Sequence, residues 1–121
     1  MSLAAKRRAE RAGRLAELAA VLHLRLRGWR VLARNWRCKA GEIDLVARRR
    51  HTLAFIEVKH RAAFGAAGEA IRRRQQARIA RAAELFLAAR PDLGGLAVTF
   101  DAILVVPWRL PSHIRDAWRI D

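Results

Sequence analysis

Serine is nearly missing from this chain, tyrosine is missing altogether, and acidic residues are outnumbered more than two to one. The two serines, Ser2 and Ser112, lie near the ends of a 121-residue sequence. A hydrolase built on a Ser-His-Asp triad therefore has no credible nucleophile. Cys38 is the single cysteine, which excludes an internal disulfide framework and fits a reducing, cytoplasmic setting. Zinc is disfavoured as well, because His23, His51, His60 and His113 have no ligand spacing and one thiol cannot complete a structural site. Apolar runs are cut by Glu17 or Asp101, so no membrane span is expected. The opening "MSLAAKRRAERAGRLAELAA" lacks the unbroken apolar stretch of a secretory signal, although its Arg-rich amphipathic character is also that of a transit peptide. No G-x-x-x-x-G-K-[ST] loop or G-x-G-x-x-G fingerprint occurs. "GAAGEAIRRR" does place glycines at a helix start, where free N–H groups could receive a phosphate, but the signal is weak and a simple helix entry is the better account.

What the chain has in excess is arginine: 22 Arg and 3 Lys against 11 acids, a net charge of +14 and a pI near 11.8. Guanidinium groups hold phosphates bidentately and stay charged at any ordinary pH. A small domain this basic carries the electrostatic footprint of a nucleic-acid binder. An acidic membrane fits less well as a partner, since the basic helices also carry the apolar faces that a core needs.

The hydrophobic pattern predicts one α/β domain over residues 1–121. Residues 3–27 read as a helix, with Leu15, Leu18, Ala19, Leu22 and Leu26 as its apolar stripe and Gly28 as its stop. Strands follow at 29–33, 42–47 and 53–59, the last two separated by a charged turn. A second helix runs from about Gly65 to Arg90, with Ile71, Ile79, Ala82, Phe86 and Ala89 inward, and Pro91 ends it. Residues 96–106 form a last strong strand, and "PSHIRDAW" reads as a short helix. The order α-β-β-β-α-β implies a mixed sheet flanked by helices.

Against this background the acids of "GEIDLVARRRHTLAFIEVKHR" (41–61) are out of place. Strand side chains alternate between faces, so Glu42, Asp44 and Val46 share one face of their strand. Leu53, Phe55, Glu57 and Lys59 share one face of the next. A hairpin centred between Arg50 and His51 sets Asp44 opposite Glu57 and Glu42 opposite Lys59. Facing Cβ atoms lie roughly 4.5–5.5 Å apart, near enough for two carboxylates to clamp a divalent cation and too near for both to ionise easily without one. Oxygen ligands of this kind suit Mg²⁺ or Mn²⁺, and Lys59 could steady charge developing on a phosphate. The same spacing equally allows plain salt bridges, Glu42 to Lys59 and Asp44 to an arginine. Glu17 is a third candidate acid, because its i+4 and i+7 neighbours, Val21 and Leu24, turn it inward. Pairing with Arg14 or Arg25 is the alternative.

Read in order, "GRLAELAAVLHLRLRGWRVLARNWR", "GEIDLVA", "FIEVKHR" and "FDAILV" resemble the YraN-type family of small bacterial proteins, from about Gly13 to Trp118. That family in turn resembles the PD-(D/E)XK nuclease superfamily, whose core has the same element order. The resemblance implies that Asp44 and Glu57 bind metal together with Glu17, which matches the first-helix glutamate of many members, with the Val58 carbonyl as a further ligand and Lys59 as the catalytic lysine. It assigns Glu42 to the GEID signature, with a supporting role such as holding Lys59. Gln75 and Gln76 stand where the family often has Lys-Gln, so a second cation is missing there, although Arg72, Arg73, Arg74 and Arg78 are near. With Arg61 of the E-V-K-x-R element, these residues are the expected nucleic-acid contacts. Thr99-Phe100-Asp101 departs from the usual Arg-Phe-Asp, and Asp101 is expected to be structural. The expected activity is metal-dependent phosphodiester hydrolysis in nucleic acid, DNA foremost, with Mg²⁺ or Mn²⁺ as cofactor. A non-catalytic nucleic-acid-binding module on the same fold is the alternative. A protein-interaction adaptor using Trp108 and Trp118 is a third, with packing within the domain the more ordinary role for those tryptophans.

Overall fold

A computed structural model of the chain describes residues 2–60 and 66–119, with side chains for 2–60 and 73–119. Helix α1 spans Leu3–Leu26, strands β1, β2 and β3 span Arg30–Cys38, Gly41–Arg49 and Thr52–Lys59, and helix α2 spans Ala66–Ala89. A 3-10 turn at Pro91–Leu93 leads to β4 (Ala97–Leu104) and β5 (Ser112–Trp118). The five strands lie in sequence order in one sheet. Only β3 and β4 run parallel, and every other neighbouring pair is antiparallel. The parallel step needs a long crossover, which α2 supplies.

The two helices cover opposite faces. Ala20, Val21 and Leu24 of α1 pack on Leu45, Ala47, Ala54, Ile56 and Ile103. Ala82, Ala83 and Phe86 of α2 pack on Ile43, Val46, Leu53 and Phe55. Both faces are buried, so β3 reads as a nearly continuous apolar run broken only by Glu57. The Ser2 hydroxyl caps α1 by accepting the Ala5 N–H at 3.1 Å. At its other end Gly28 adopts φ +85, and the N–H groups of Gly28 and Trp29 return to the carbonyls of Arg25 and Leu24. That is a Schellman closure, which glycine allows at low cost.

Four features differ from the sequence expectation. The leucine stripe of α1 faces solvent: Leu15, Leu18, Leu22 and Leu26 are between 45% and 84% exposed, and Ala16, Ala20, Val21 and Leu24 form the core face instead. Apolar residues occupy both sides of this helix, and its small alanines are the side that lets it sit close to the sheet. Ala89, expected to face inward on α2, is exposed, whereas Ile79, Ala82 and Phe86 are buried as expected. Residues 112–118 form a strand rather than a helix. The otherwise open edge of β4 takes them up, and Asp101 fixes the irregular rung. Its Oδ1 accepts the Asp116 N–H at 2.9 Å and its Oδ2 meets His113 Nε2 at 2.7 Å. Asp101 is wholly buried, in keeping with the structural role expected for it. Of the two tail tryptophans, expected to pack within the domain, Trp118 stacks on Phe100 with centroids 4.3 Å apart, whereas Trp108 is fully exposed. Among the described residues, no helix is long and apolar enough to cross a membrane.

Candidate metal and nucleic-acid site

The β2–β3 hairpin has the register expected from its centre: Arg49 pairs with Thr52, Ala47 with Ala54 and Leu45 with Ile56. A two-residue turn at Arg50 and His51, with Arg50 at φ +55, fixes that count. The ladder then stops, one rung short of Asp44 and Glu57. The N–H of Val58, which a continued ladder would offer to the β2 backbone, donates instead to Asp44 Oδ2 at 2.8 Å. Strict alternation also fails here. Ile43 joins Val46 on the α2 face, while Leu45 lies on the α1 face. On β1 the facing position between Arg34 and Trp36 is Asn35, held at φ +49, a conformation that asparagine tolerates better than most residues. Asp44 therefore does not share a flat face with Glu42 and Val46. It sits where the sheet opens and lines clefts on both sides.

On the α1 side, a cleft of about 400 Å³ is lined by Asp44, Glu17, Val58, His60, Asn35 and Arg14, among others. Glu17 does face inward. Its Oε1 accepts from Asn35 Nδ2 at 2.9 Å and from Arg34 Nε at 3.2 Å, rather than from Arg14 or Arg25. On the α2 side, a second cleft of about 400 Å³ is lined by Gly41, Glu42, Asp44, Arg74, Gln75, Arg78 and Ile79. Gly41, the first residue of GEID, has φ +155, and a Cβ there would lie 3.6 Å from the Cβ of Arg78. That contact is an ordinary one, so it is the backbone angle of the β1–β2 turn, not crowding by α2, that favours glycine. A third cavity, of about 250 Å³, holds Glu57, Lys59 and Gln76 beside Ala102 and Trp118.

Glu42 does not hold Lys59. It is exposed and lies 3.5 Å from Arg37 Nε, and Lys59 Nζ meets Glu57 Oε1 at 2.5 Å. The Glu57 side chain is only 8% exposed, so removing that partner would leave a nearly buried carboxylate uncompensated. Among the described residues, Asp44 has no such cation. Burial raises its carboxyl to about 6, and the nearby charges of Glu57, Glu42 and Glu17 add to the rise, against the lowering effect of the Val58 hydrogen bond. Arg73, Arg74, Gln75 and Arg78 are exposed on α2, and Gln76 is half-buried. The expected contacts Arg61 and Arg72 lie outside the described residues, as does the glycine-rich entry to α2 at 65–68.

The structure thus brings Asp44, Glu17 and Val58 into one cleft, Asp44 and Glu42 into another with Arg74, Gln75 and Arg78, and Glu57 with Lys59 and Gln76 into a third. Among the described residues, no group of three or more His, Cys, Asp or Glu side chains is gathered closely enough to hold an ion as it stands. Sequence reasoning missed Asn35 and His60. Asn35 carried a signal, being an asparagine among β-formers, whereas His60 had only its place beside Lys59.

Residues 16–105 match the model of a family described as "Uncharacterised protein family UPF0102". The chain belongs to this family. It is 52% identical to a UPF0102 protein of Paramagnetospirillum magneticum over 93% of its own length and 91% of the relative's. It is 47% identical to one from Agrobacterium fabrum over 93% of both chains, and 51% identical to one from Parvibaculum lavamentivorans over 92% and 84%. The YraN-type resemblance seen in GEID and E-V-K-x-R is thereby placed on the UPF0102 family as a whole. The matched span runs from Ala16 on the core face of α1 to Val105 just past β4, and so takes in each candidate acid and Lys59.

Proposed function

We propose that this UPF0102 chain is a metal-dependent nuclease that hydrolyses phosphodiester bonds in DNA. The observation that carries this reading is the state of Asp44. Among the described residues no cation pairs with this half-buried carboxylate, three other acids lie near it, and its carboxyl rises to about 6. Clustered carboxylates whose charges oppose one another are typical of sites completed by a cation. The available donors, carboxylate oxygens of Asp44, Glu57 and Glu17 with the Val58 carbonyl, suit hard ions such as Mg²⁺ or Mn²⁺. Such an ion would polarise a phosphoryl oxygen and make its bound water a nucleophile near neutral pH.

The protein's own share follows from the geometry. The Val58 N–H holds Asp44 in one orientation, and Glu57 keeps the Lys59 ammonium at the end of β3, where it can neutralise charge on a phosphate. Arg73, Arg74, Gln75 and Arg78 would grip the backbone of the nucleic acid and give affinity without sequence choice. Gln76, in the cavity with Lys59, would contact the strand nearer the reacting phosphate. The element order α-β-β-β-α-β and the E-x-K spacing support kinship with the PD-(D/E)XK nucleases.

The test is a cleavage panel of linear, flapped, forked and four-way DNA with Mg²⁺ or Mn²⁺. Wild type should cleave at least one substrate, and Asp44→Asn and Lys59→Ala should not. Equal activity in all three would remove the assignment. A second reading, a nucleic-acid-binding module without catalysis, is favoured by the absence of a gathered ion cage among the described residues. It expects salt-sensitive binding indifferent to Mg²⁺.

A further inference from the structure

Between β4 and β5 the chain turns at Val106-Pro107-Trp108-Arg109. The Arg109 N–H donates to the Val106 carbonyl at 3.3 Å, Pro107 takes the second position, and Trp108 takes the third at φ +65. Proline followed by a positive-φ residue, closed by an i to i+3 hydrogen bond, is the pattern of a type II turn, whose third position favours glycine. Tryptophan there is strained, and its indole is fully exposed. The fold gains nothing visible from it, since glycine would make the turn more easily and leave less apolar surface in water. The indole is also held on a stiff mount, with Pro107 before it and Pro111 after it.

Its location gives that mount a purpose. Lys59 and Leu104 are the last paired residues of the parallel strands β3 and β4, and the next N–H, that of Val105, donates to the Lys59 carbonyl at 2.7 Å. Trp108 follows three residues later in this turn, so at most roughly 10 Å of chain separates it from the Val105–Lys59 contact. Arg109, also exposed, adjoins it.

We infer that Trp108 is a base-stacking residue for the strand bound at the Glu57–Lys59 end of the sheet, which makes the substrate class nucleic acid with unpaired bases. This rests on the proposed function for where the phosphates lie. An indole face stacks on any exposed base, but a continuous duplex already has its bases stacked on one another. An exposed Trp-Arg-Leu tip could also enter a protein groove. The neighbouring lysine and the net charge of +14 favour a polyanion.

The experiment measures fluorescence anisotropy of a labelled single-stranded oligonucleotide and of the same sequence as a duplex, in EDTA so that no cleavage is needed. Trp108→Ala should weaken single-strand binding roughly 5- to 150-fold and duplex binding less than about twofold, with Trp108→Phe retaining most of the affinity. Trp108→Gly should lose the same affinity while raising the melting temperature, which a structural role for the indole would reverse. Unchanged single-strand affinity in Trp108→Ala, or equal loss on both probes, overturns the inference, as does a wild type that binds neither. If wild type shows the Trp108-dependent preference but cleaves nothing with Mg²⁺ or Mn²⁺, only the catalytic proposal fails. If it cleaves while Trp108→Ala binds single strands normally, only the stacking role fails.

Discussion

Asp44 and Val58 are joined by one hydrogen bond, backbone N–H to Oδ2 at 2.8 Å, at the rung where the β2–β3 ladder has already ended. This contact holds a carboxylate in the opening of the sheet and lowers its pKa, against burial and three acids that raise it. With the folded carboxyl near 6 and an ordinary value of 3.8, the folded state keeps its proton between those pH values while the unfolded state loses it. The Asp44 contribution to stability therefore falls as pH rises from about 4 to about 6, by at most about 3 kcal/mol, and is level above that. Asp44→Asn should remove this cost. Urea melts across pH 4–8 should show the variant gaining on wild type up to pH 6 and holding a constant lead beyond. A lead that shrinks with rising pH would contradict it.

If Asp44 is a metal ligand, a divalent cation should relieve the same cost. Mg²⁺ or Mn²⁺ should raise the melting temperature of wild type more at pH 7.5 than at pH 5, because the ion competes with the proton for the carboxylate. Asp44→Asn should lose most of that increment at both pH values, and chelation should return wild type to its metal-free curve. Thermal melts read this without any assay of cleavage. An equal shift in wild type and variant would mean that the ion binds elsewhere.

Glu57 and Lys59 should behave as a coupled pair. Lys59→Met leaves a nearly buried carboxylate unpaired, and Glu57→Gln leaves the ammonium without its partner at 2.5 Å. The double substitution should be less destabilising than the sum of the two, by roughly 1–2 kcal/mol. A double-mutant cycle in urea checks this. Additive losses would show the pair to be a surface contact of little weight.

The two faces of α1 make the opposite forecast from the one its leucines suggest. Leu24 is fully buried and Leu18 is 45% exposed. Leu24→Ala should cost about 2–5 kcal/mol, whereas Leu18→Gln should stay within about 0.5 kcal/mol of wild type. Chemical denaturation of the two variants would compare them directly, and a Leu18→Gln as damaging as Leu24→Ala would restore the leucine stripe to the core.

That reversal shows where the sequence is informative and where it is not. The hairpin register was legible because strand side chains repeat every two residues and "RRRHT" leaves room for one tight turn, so the relation of Leu45 to Ile56 followed from counting. The break at Asp44 was not, because it depends on Asn35 in the neighbouring strand and on a side chain replacing a ladder bond. The α1 face was ambiguous because apolar residues ring the helix, and which side faces in depends on how closely alanine lets it approach the sheet. Residues 112–118 carry no strong strand signal of their own. The edge of β4 and a buried carboxylate eleven residues upstream of the segment make them a strand, and that information is tertiary.

The buried carboxylate in question, Asp101, gives the last forecast. Burial alone would raise its pKa, but hydrogen bonds from His113 and the Asp116 N–H outweigh that and hold it below 3.8. A carboxylate depressed in the folded state contributes stability above the unfolded value and loses it as pH falls through the folded one. The Asp101 contribution should therefore be intact at neutral pH and fade only below about pH 4. Asp101→Asn should remove it at all pH values, since the amide cannot carry the charge that these donors favour. Because Asp101 takes the Asp116 N–H at the irregular rung, the damage should appear first in β5. Hydrogen exchange at pH 7 should show the amides of 114–118 losing protection in Asp101→Asn well before those of β3. Uniform loss across the sheet would mean that Asp101 supports the whole core rather than its last strand.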